Sequence, residues 1–452
     1  MQLLWLFISN LFFSAVFAAP ATGFKVKRDF LPTQPSDDSF YSPPPGFESQ
    51  PLGAILKSRK QDHTFGIVVI PEKIEGAYQY LVRSEDSFGN PIAAVATLFI
   101  PKNADPNKLL SYQVAEDASN INCSPSYAMQ LGSNPDTIVT AQIEQLLVQG
   151  GLNQGWYVVV PDHEGPKSTF VAAHSAGKIV LNAIRAVIQT SNTTGLSSNP
   201  TIALWGYSGG YLGTEWGAMY HKTYAPELNI VGAALGGIIV DIDHIARFNL
   251  GTIFAGFVIT AINGLSHEYS ALNDYITNNV FPSQLDYFRK TNTICLLGDL
   301  LSYPFAKLEQ FISVGINALD DPIVKNVTSS NNALLSDLVP DIPLFFYDSL
   351  HDEIVPASDT DLLYNKWCSQ GVSISYRQDE VGGHITQAVL GAGDAFEFVK
   401  ARLNGTPAPQ GCNKVVAISN VFSLTDLDGL GSIIVAAIKA LFLQPLGPFW
   451  MQ

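Results

Sequence analysis

Ser208 lies in Gly206-Tyr207-Ser208-Gly209-Gly210, a G-x-S-x-G arrangement. An apolar run from Thr201 precedes it, and a helix-like run from Tyr211 to Tyr220 follows. In that context the serine sits on a strained strand-to-helix turn with its hydroxyl exposed. The glycines answer to crowding, because neighbouring side chains would clash at so tight a turn. A serine hydroxyl is a weak nucleophile until a base takes its proton. That base is usually a histidine, held in one tautomer by a buried carboxylate.

The chain supplies both groups downstream. Asp352 lies in Asp348-Ser349-Leu350-His351-Asp352-Glu353-Ile354-Val355-Pro356, after one apolar segment. His384 lies in Val381-Gly382-Gly383-His384-Ile385-Thr386, after the next. Serine, acid, histidine is the chain order of α/β-hydrolases. Of the eight histidines, only His351 and His384 follow the last core strands, and His351 is beside the acid, after the wrong strand. His384 is therefore the expected base. Asp348 and Glu353 compete with Asp352 for the acid.

Acyl transfer also needs two N–H groups aimed at the developing oxyanion. One is expected from Gly209, which follows the nucleophile. The other should come from the loop after an earlier strand, where Glu116-Asp117-Ala118 stands and Asp117 is the candidate. A carboxylate capping the next segment is the plainer use of Asp117. His163 and Glu164, in Pro161-Asp162-His163-Glu164-Gly165, could line the site but read first as loop residues.

These loops need a sheet to bring them together. Strands are expected at Thr64–Ile70, Tyr78–Ser84 and Ala93–Ile100, close enough in sequence for an antiparallel opening. Lys108–Val114, Trp156–Val160, Thr201–Tyr207, Val231–Leu235, Ile342–Tyr347 and Val372–Arg377 read as buried strands. Helices alternate with them. Ala172–Thr190 carries Ile179, Val180, Ala183, Ile184 and Val187 at helical spacing, and Ala357–Cys368 is another. The rhythm predicts an α/β fold with a mainly parallel sheet covered on both faces.

Residues 236–330 break it with unusually apolar, helix-like sequence, read as a cap that walls a pocket for an apolar substrate. The expected division is a leader at 1–18, an N-terminal arm at 19–50, the core at 51–235 and 331–412, the cap at 236–330 and a flap at 413–452. The Pro-rich part of the arm, from Asp29 to Pro51, reads as extended chain on the surface.

Composition narrows the function further. The 452 residues are 47% hydrophobic and 14% charged, as expected of a packed globule. A net charge of -15 argues against nucleic acid, whose phosphates would repel it. Leu3–Val16 is apolar and Val16-Phe17-Ala18 has a cleavage-site pattern, as in a secretory leader, while Lys27-Arg28 offers a processing site. Cys123, Cys295, Cys368 and Cys412 form no C-x-x-C, which disfavours a zinc site. In an exported chain four cysteines suggest two disulfides, with three pairings open. Asn192, Asn326 and Asn404 begin glycosylation sequons.

Taken with Tyr112-Gln113-Val114-Ala115-Glu116-Asp117 and the loop at Pro161–Pro166, the motifs around Ser208, Asp352 and His384 resemble the fungal secretory lipase family. The resemblance spans roughly residues 40 to 450. It implies an α/β-hydrolase fold with a largely helical cap and a C-terminal flap, and disulfides Cys123–Cys295 and Cys368–Cys412. It also implies Ser208, Asp352 and His384 as the triad and Asp117 with Gly209 as the oxyanion pair. One departure is local: Glu116 and Ala118 flank Asp117, where an aromatic residue and a serine are common in the family. The expected activity is a secreted, monomeric serine lipase on triacylglycerol and other carboxylic esters at a lipid–water interface. It should need no metal or cofactor, nucleic acid or stable protein partner. A short-chain carboxylesterase or acyltransferase is the nearer rival, and a non-catalytic binding protein on the same fold the remoter one.

Overall fold

In a computed structural model of the chain the described residues run from 31 to 418, apart from 68 and 69. The expected leader, the Lys27-Arg28 pair and the tail beyond residue 418 lie outside them.

The strands are β1 (Ile55–Lys60), β2 (Gly76–Glu85), β3 (Pro91–Ile100), β4 (Asp105–Gln113), β5 (Trp156–Pro161), β6 (Thr201–Tyr207), β7 (Ile230–Gly236), β8 (Leu344–Ser349), β9 (Ile374–Asp379) and β10 (Cys412–Ala417). They form one sheet in the order β1-β2-β3-β5-β4-β6-β7-β8-β9-β10. The first three strands and β5 pair antiparallel. From β5 through β10 every pairing is parallel.

Helices cover both faces: α1 (Ile138–Asn153), α2 (Ala173–Ile188), α3 (Gly209–Tyr224), α4 (Ile242–Asn249), α5 (Ala255–Glu268), α6 (Ser270–Asn279), α7 (Leu296–Ser302), α8 (Pro322–Ser330), α9 (Ala357–Ser369), α10 (His384–Leu390) and α11 (Ala392–Leu403). Period-two alternation sorts the central strands between two cores. Leu109, Val159 and Leu204 join the apolar face of α2 and Trp216 of α3. Leu110, Val158 and Trp205 join Val148 of α1 and Phe396 of α11. Trp156 and Phe396 stack 5.5 Å apart on that second face. A Cβ on Gly177 would stand 2.7 Å from Trp216 Cβ, so α2 and α3 can approach this closely only with glycine there.

The antiparallel opening is present, with three changes of detail. Thr64–Ile70 is not a sheet strand: Gly66–Ile67 pairs antiparallel with Ile70–Pro71 in a separate two-stranded piece. Pro71 has no N–H with which to extend that ladder. The true first strand is Ile55–Lys60, an edge strand whose Lys57, Arg59 and Lys60 hide its pattern. The arm is not merely extended. It makes short 3₁₀ turns, one of which buries Phe40 against Leu81, Ala93 and Val95. Arg59 covers the Phe40 ring at 4.1 Å and binds Asp38.

Residues between β7 and β8 hold α4 to α8, a helical layer over the carboxyl ends of the strands. Disulfides join Cys123 to Cys295 and Cys368 to Cys412. The first ties the segment after Asp117 to the cap. The second ties the end of α9 to β10, so the sheet continues five residues past 412, into the range expected of the flap.

Candidate active site

Ser208 stands between β6 and α3 at φ +53° and ψ −123°, a conformation that costs a non-glycine residue about 1–3 kcal/mol. Two backbone bonds hold it there. Ser208 N–H donates to Gly236 O at 2.9 Å, and Tyr211 N–H donates to Ser208 O at 2.8 Å. The flanking glycines keep ordinary φ, and what requires them is space. A Cβ on Gly206 would overlap Gly210 O and Thr214 Oγ1, one on Gly210 would overlap Gln113 O, and one on Gly209 would overlap Asp117 Oδ1.

His384 begins α10, after β9, and is 4% exposed. Its Nε2 lies 2.7 Å from Ser208 Oγ and its Nδ1 lies 2.7 Å from Asp352 Oδ2. The other oxygen of Asp352 accepts N–H bonds from Ile354 at 2.9 Å and Val355 at 2.7 Å. With both oxygens committed, the carboxylate can present only Oδ2 to the ring. Burial disfavours the imidazolium of His384, but the charge of Asp352 and its hydrogen bond, with Glu353 and Asp117 beyond, outweigh that and raise its pKa above the ordinary value.

The rival residues are placed elsewhere. Asp348 is buried and takes the Tyr376 hydroxyl on both oxygens, at 3.0 and 2.9 Å. Burial first, and the nearby Asp352 charge in part, push its pKa up to about 7. His351 is exposed, its backbone N–H on Ser349 Oγ. Glu353 Oε2 accepts the backbone N–H of His384 at 2.7 Å. Tyr207 OH donates to His384 O at 2.7 Å, a support that sequence reasoning missed. Only its place, next to the nucleophile, could have suggested it.

Asp117 follows β4 with φ +49° and is 3% exposed, facing Gly209 as the close approach of Oδ1 requires. Burial pushes its pKa up to about 7, and His384 pulls it back in part. Asp162, His163 and Glu164 brace the segment behind it. Asp162 accepts from Ser126 N at 2.8 Å, His163 Nε2 meets Val114 O at 2.8 Å, and Glu164 Oε2 accepts from Ala118 N at 3.4 Å. The imidazole of His163 is kept neutral, burial lowering its pKa to about 4.

A cavity enclosing about 1130 Å³ of atom-free space, including the part open to solvent, begins at Ser208 and Asp117. Phe170, Ile354 and Val355 line it from the core, and Ile245, Phe257 and Leu272 are among the cap residues opposite. Its wall is almost wholly apolar, so it fits a hydrocarbon chain better than a polar ligand. Residues from 239 to 328 thus form much of the pocket wall. All three sequon asparagines are exposed.

The chain is similar to known proteins in sequence and in fold. The secretory lipase family model matches residues 129–411. The chain is 40% identical to Lipase 1 of Candida albicans over 447 residues, covering 97% of this chain and 93% of that one. Lipase 10 of the same organism is 42% identical over 398 residues, covering 86% of this chain and 85% of its own. The closed-state X-ray structure of Candida antarctica lipase A superposes with a TM-score of 0.81 at 29% identity, over 93% of this chain and 99% of that one. With the helical layer, the α/β-hydrolase sheet and the Ser208 turn all in place, the chain belongs to the secretory lipase family.

Proposed function

We propose that this secretory lipase hydrolyses long-chain acyl esters, triacylglycerol first among them, through an acyl-enzyme on Ser208. The observation that carries the reading is the unbroken hydrogen-bonded chain Asp352–His384–Ser208 opening onto an apolar cavity. Ser208 Oγ attacks the ester carbonyl while His384 Nε2 takes its proton. Asp352 holds the Nδ1–H tautomer and stabilises the imidazolium. The N–H groups of Gly209 and Asp117 serve the oxyanion. His384 then returns the proton to the leaving alcohol, and water, activated by the same ring, releases the acid.

The cavity wall supports a hydrocarbon acyl chain as the preferred cargo, since each buried methylene contributes about 0.8 kcal/mol. Family membership supports export, and the exposed sequons agree with it.

Activity across p-nitrophenyl esters from acetate to palmitate tests the substrate class, and triolein emulsions test the lipid. Preference for acetate would leave a short-chain esterase in its place. A fluorophosphonate should label the wild type and not Ser208→Ala, and persistent labelling would remove Ser208 from the mechanism.

A further inference from the structure

The outer surface of the cap carries large apolar side chains turned to solvent. Leu301, near the end of α7, is 71% exposed, Phe305 60%, Ile253 50% and Tyr287 42%. Hydrogen bonds fasten their segments together. Gly251 N–H donates to Ala306 O at 2.8 Å, and Phe305 N–H donates to Thr252 O at 2.7 Å. The Tyr287 hydroxyl donates to Ser302 O, and Lys290 Nζ donates to Ser302 Oγ at 3.0 Å. The four side chains therefore belong to one face.

Two features set this face apart from the single apolar residues found on any surface. Phe305 keeps φ +59°, a conformation that disfavours any residue but glycine, and the side chain held there points outward. The same segments also wall the pocket from within. Phe257, Phe288 and Leu308 line the cavity, each about a helical turn or less along the chain from Ile253, Tyr287 or Phe305. These short stretches thus present apolar groups to the cavity on one side and to solvent on the other.

The charged groups fastened to the face are bases. Lys290 is held at Ser302, and Lys307 passes over Gly251, where a Cβ would stand 3.3 Å from its Cε. Asp299 of α7 is fully buried, and the Glu309 carboxylate turns to the Ile316 N–H at 3.3 Å. Asp286, beside Tyr287, is the nearest exposed acid in sequence. From 248 to 266 the chain has no charged residue. Apolar tips flanked by lysines, on a chain of net charge -15, match a lipid surface with anionic head groups. Repulsion from the rest of the chain is screened beyond about 8 Å at physiological salt, so the local bases decide the contact.

We propose that Ile253, Tyr287, Leu301 and Phe305, with Lys290 and Lys307, form the face on which the enzyme docks to an anionic lipid–water surface. This rests on the lipase reading and deepens it by naming the docking face. The apolar tips enter the acyl boundary while the lysine heads meet the head groups. Docking presses the segments that line the cavity against the source of its substrate. Each fatty acid released at the interface adds a carboxylate there, so hydrolysis strengthens the attachment.

The test measures partition of the intact protein onto vesicles of equimolar phosphatidylcholine and phosphatidylglycerol, and onto vesicles of phosphatidylcholine alone. Wild type should prefer the mixed vesicles, and added salt should remove the preference. L301S and F305G should each lower the partition coefficient roughly tenfold or more, through loss of one buried apolar side chain. Phe305→Gly also relieves the strained φ, so its thermal midpoint should stay at or above that of wild type. K290Q and K307Q should each lower partition onto the mixed vesicles about fivefold, with little change on phosphatidylcholine alone. In all four variants kcat for soluble p-nitrophenyl butyrate should be unchanged, while hydrolysis of triolein emulsions falls with partition.

Wild type that binds neither vesicle overturns the proposal, whether its own tail or a second copy covers the face. A wild type indifferent to phosphatidylglycerol overturns it too, as does wild-type partition in L301S and F305G. L301S alone decides the apolar part if F305G does not fold. Equal losses on the soluble ester and on triolein would place these residues in the service of the pocket and refute the docking role. Vesicle binding without ester hydrolysis counts against the lipase reading and leaves the docking face standing.

Discussion

Glu353 accepts the backbone N–H of His384 at 2.7 Å, while its neighbour Asp352 takes the ring of the same histidine at 2.7 Å. Adjacent acids thus hold one residue at two points, one through the peptide and one through the imidazole. Gly383 is needed beside this clamp, since a Cβ there would overlap the Glu353 carboxyl. Replacing Glu353 by Ala should lower kcat by about 10- to 100-fold, the worth of one charged hydrogen bond. E353Q, which keeps an acceptor, should lose much less. Equal losses in the two variants would remove the hydrogen bond as the cause.

The raised pKa of His384 gives a sign to the acid limb. As a base the ring must be neutral, so kcat/KM should rise with pH through a midpoint above the ordinary 6.5. For stability, a raised histidine contributes fully below its unfolded pKa and loses that contribution as pH rises through the folded one. Asp352→Asn should reduce kcat on the order of 10⁴-fold, by favouring the wrong tautomer. A midpoint below 6.5 in the wild type would contradict the electrostatic account.

The Cys123–Cys295 bridge closes a span of 172 residues between the core and the cap. Replacing both cysteines by alanine should lower stability by about 3–5 kcal/mol, read as a reduced denaturation midpoint. Loss of the Cys368–Cys412 bridge, spanning 44, should cost somewhat less. Equal effects would mean that loop length does not dominate.

Exposure of Asn192, Asn326 and Asn404 predicts up to three glycans in an exported protein. Each Asn→Gln change should move the product by one step on a gel, and enzymatic deglycosylation should merge the steps. Unaltered mobility on deglycosylation would leave all three unused.

Where the sequence was legible, a single physical pattern dominated. Buried parallel strands read as apolar runs, and Ile179 to Val187 spelled out one helix face. The loop order of Ser208, Asp352 and His384 followed from their places after strands. Edge strands escaped because none of their residues is buried: Ile55–Lys60 and Cys412–Ala417 look like loop sequence until a neighbour pairs with them. The parts that Glu353 and Tyr207 play behind His384, and the particular contact of Glu164, escaped for another reason. Their partners are backbone groups tens to hundreds of positions away, and no local spacing encodes such a contact.

Ser208 and Asp117 are both non-glycine residues at positive φ, and they meet at the head of the cavity. Either could relax by becoming glycine, at some gain in folding stability. A selection for heat resistance alone would therefore drift toward Ser208→Gly, a sturdier molecule with no chemistry left. On the reading of Ser208 as the nucleophile, the strain at this turn serves the chemistry and not the fold.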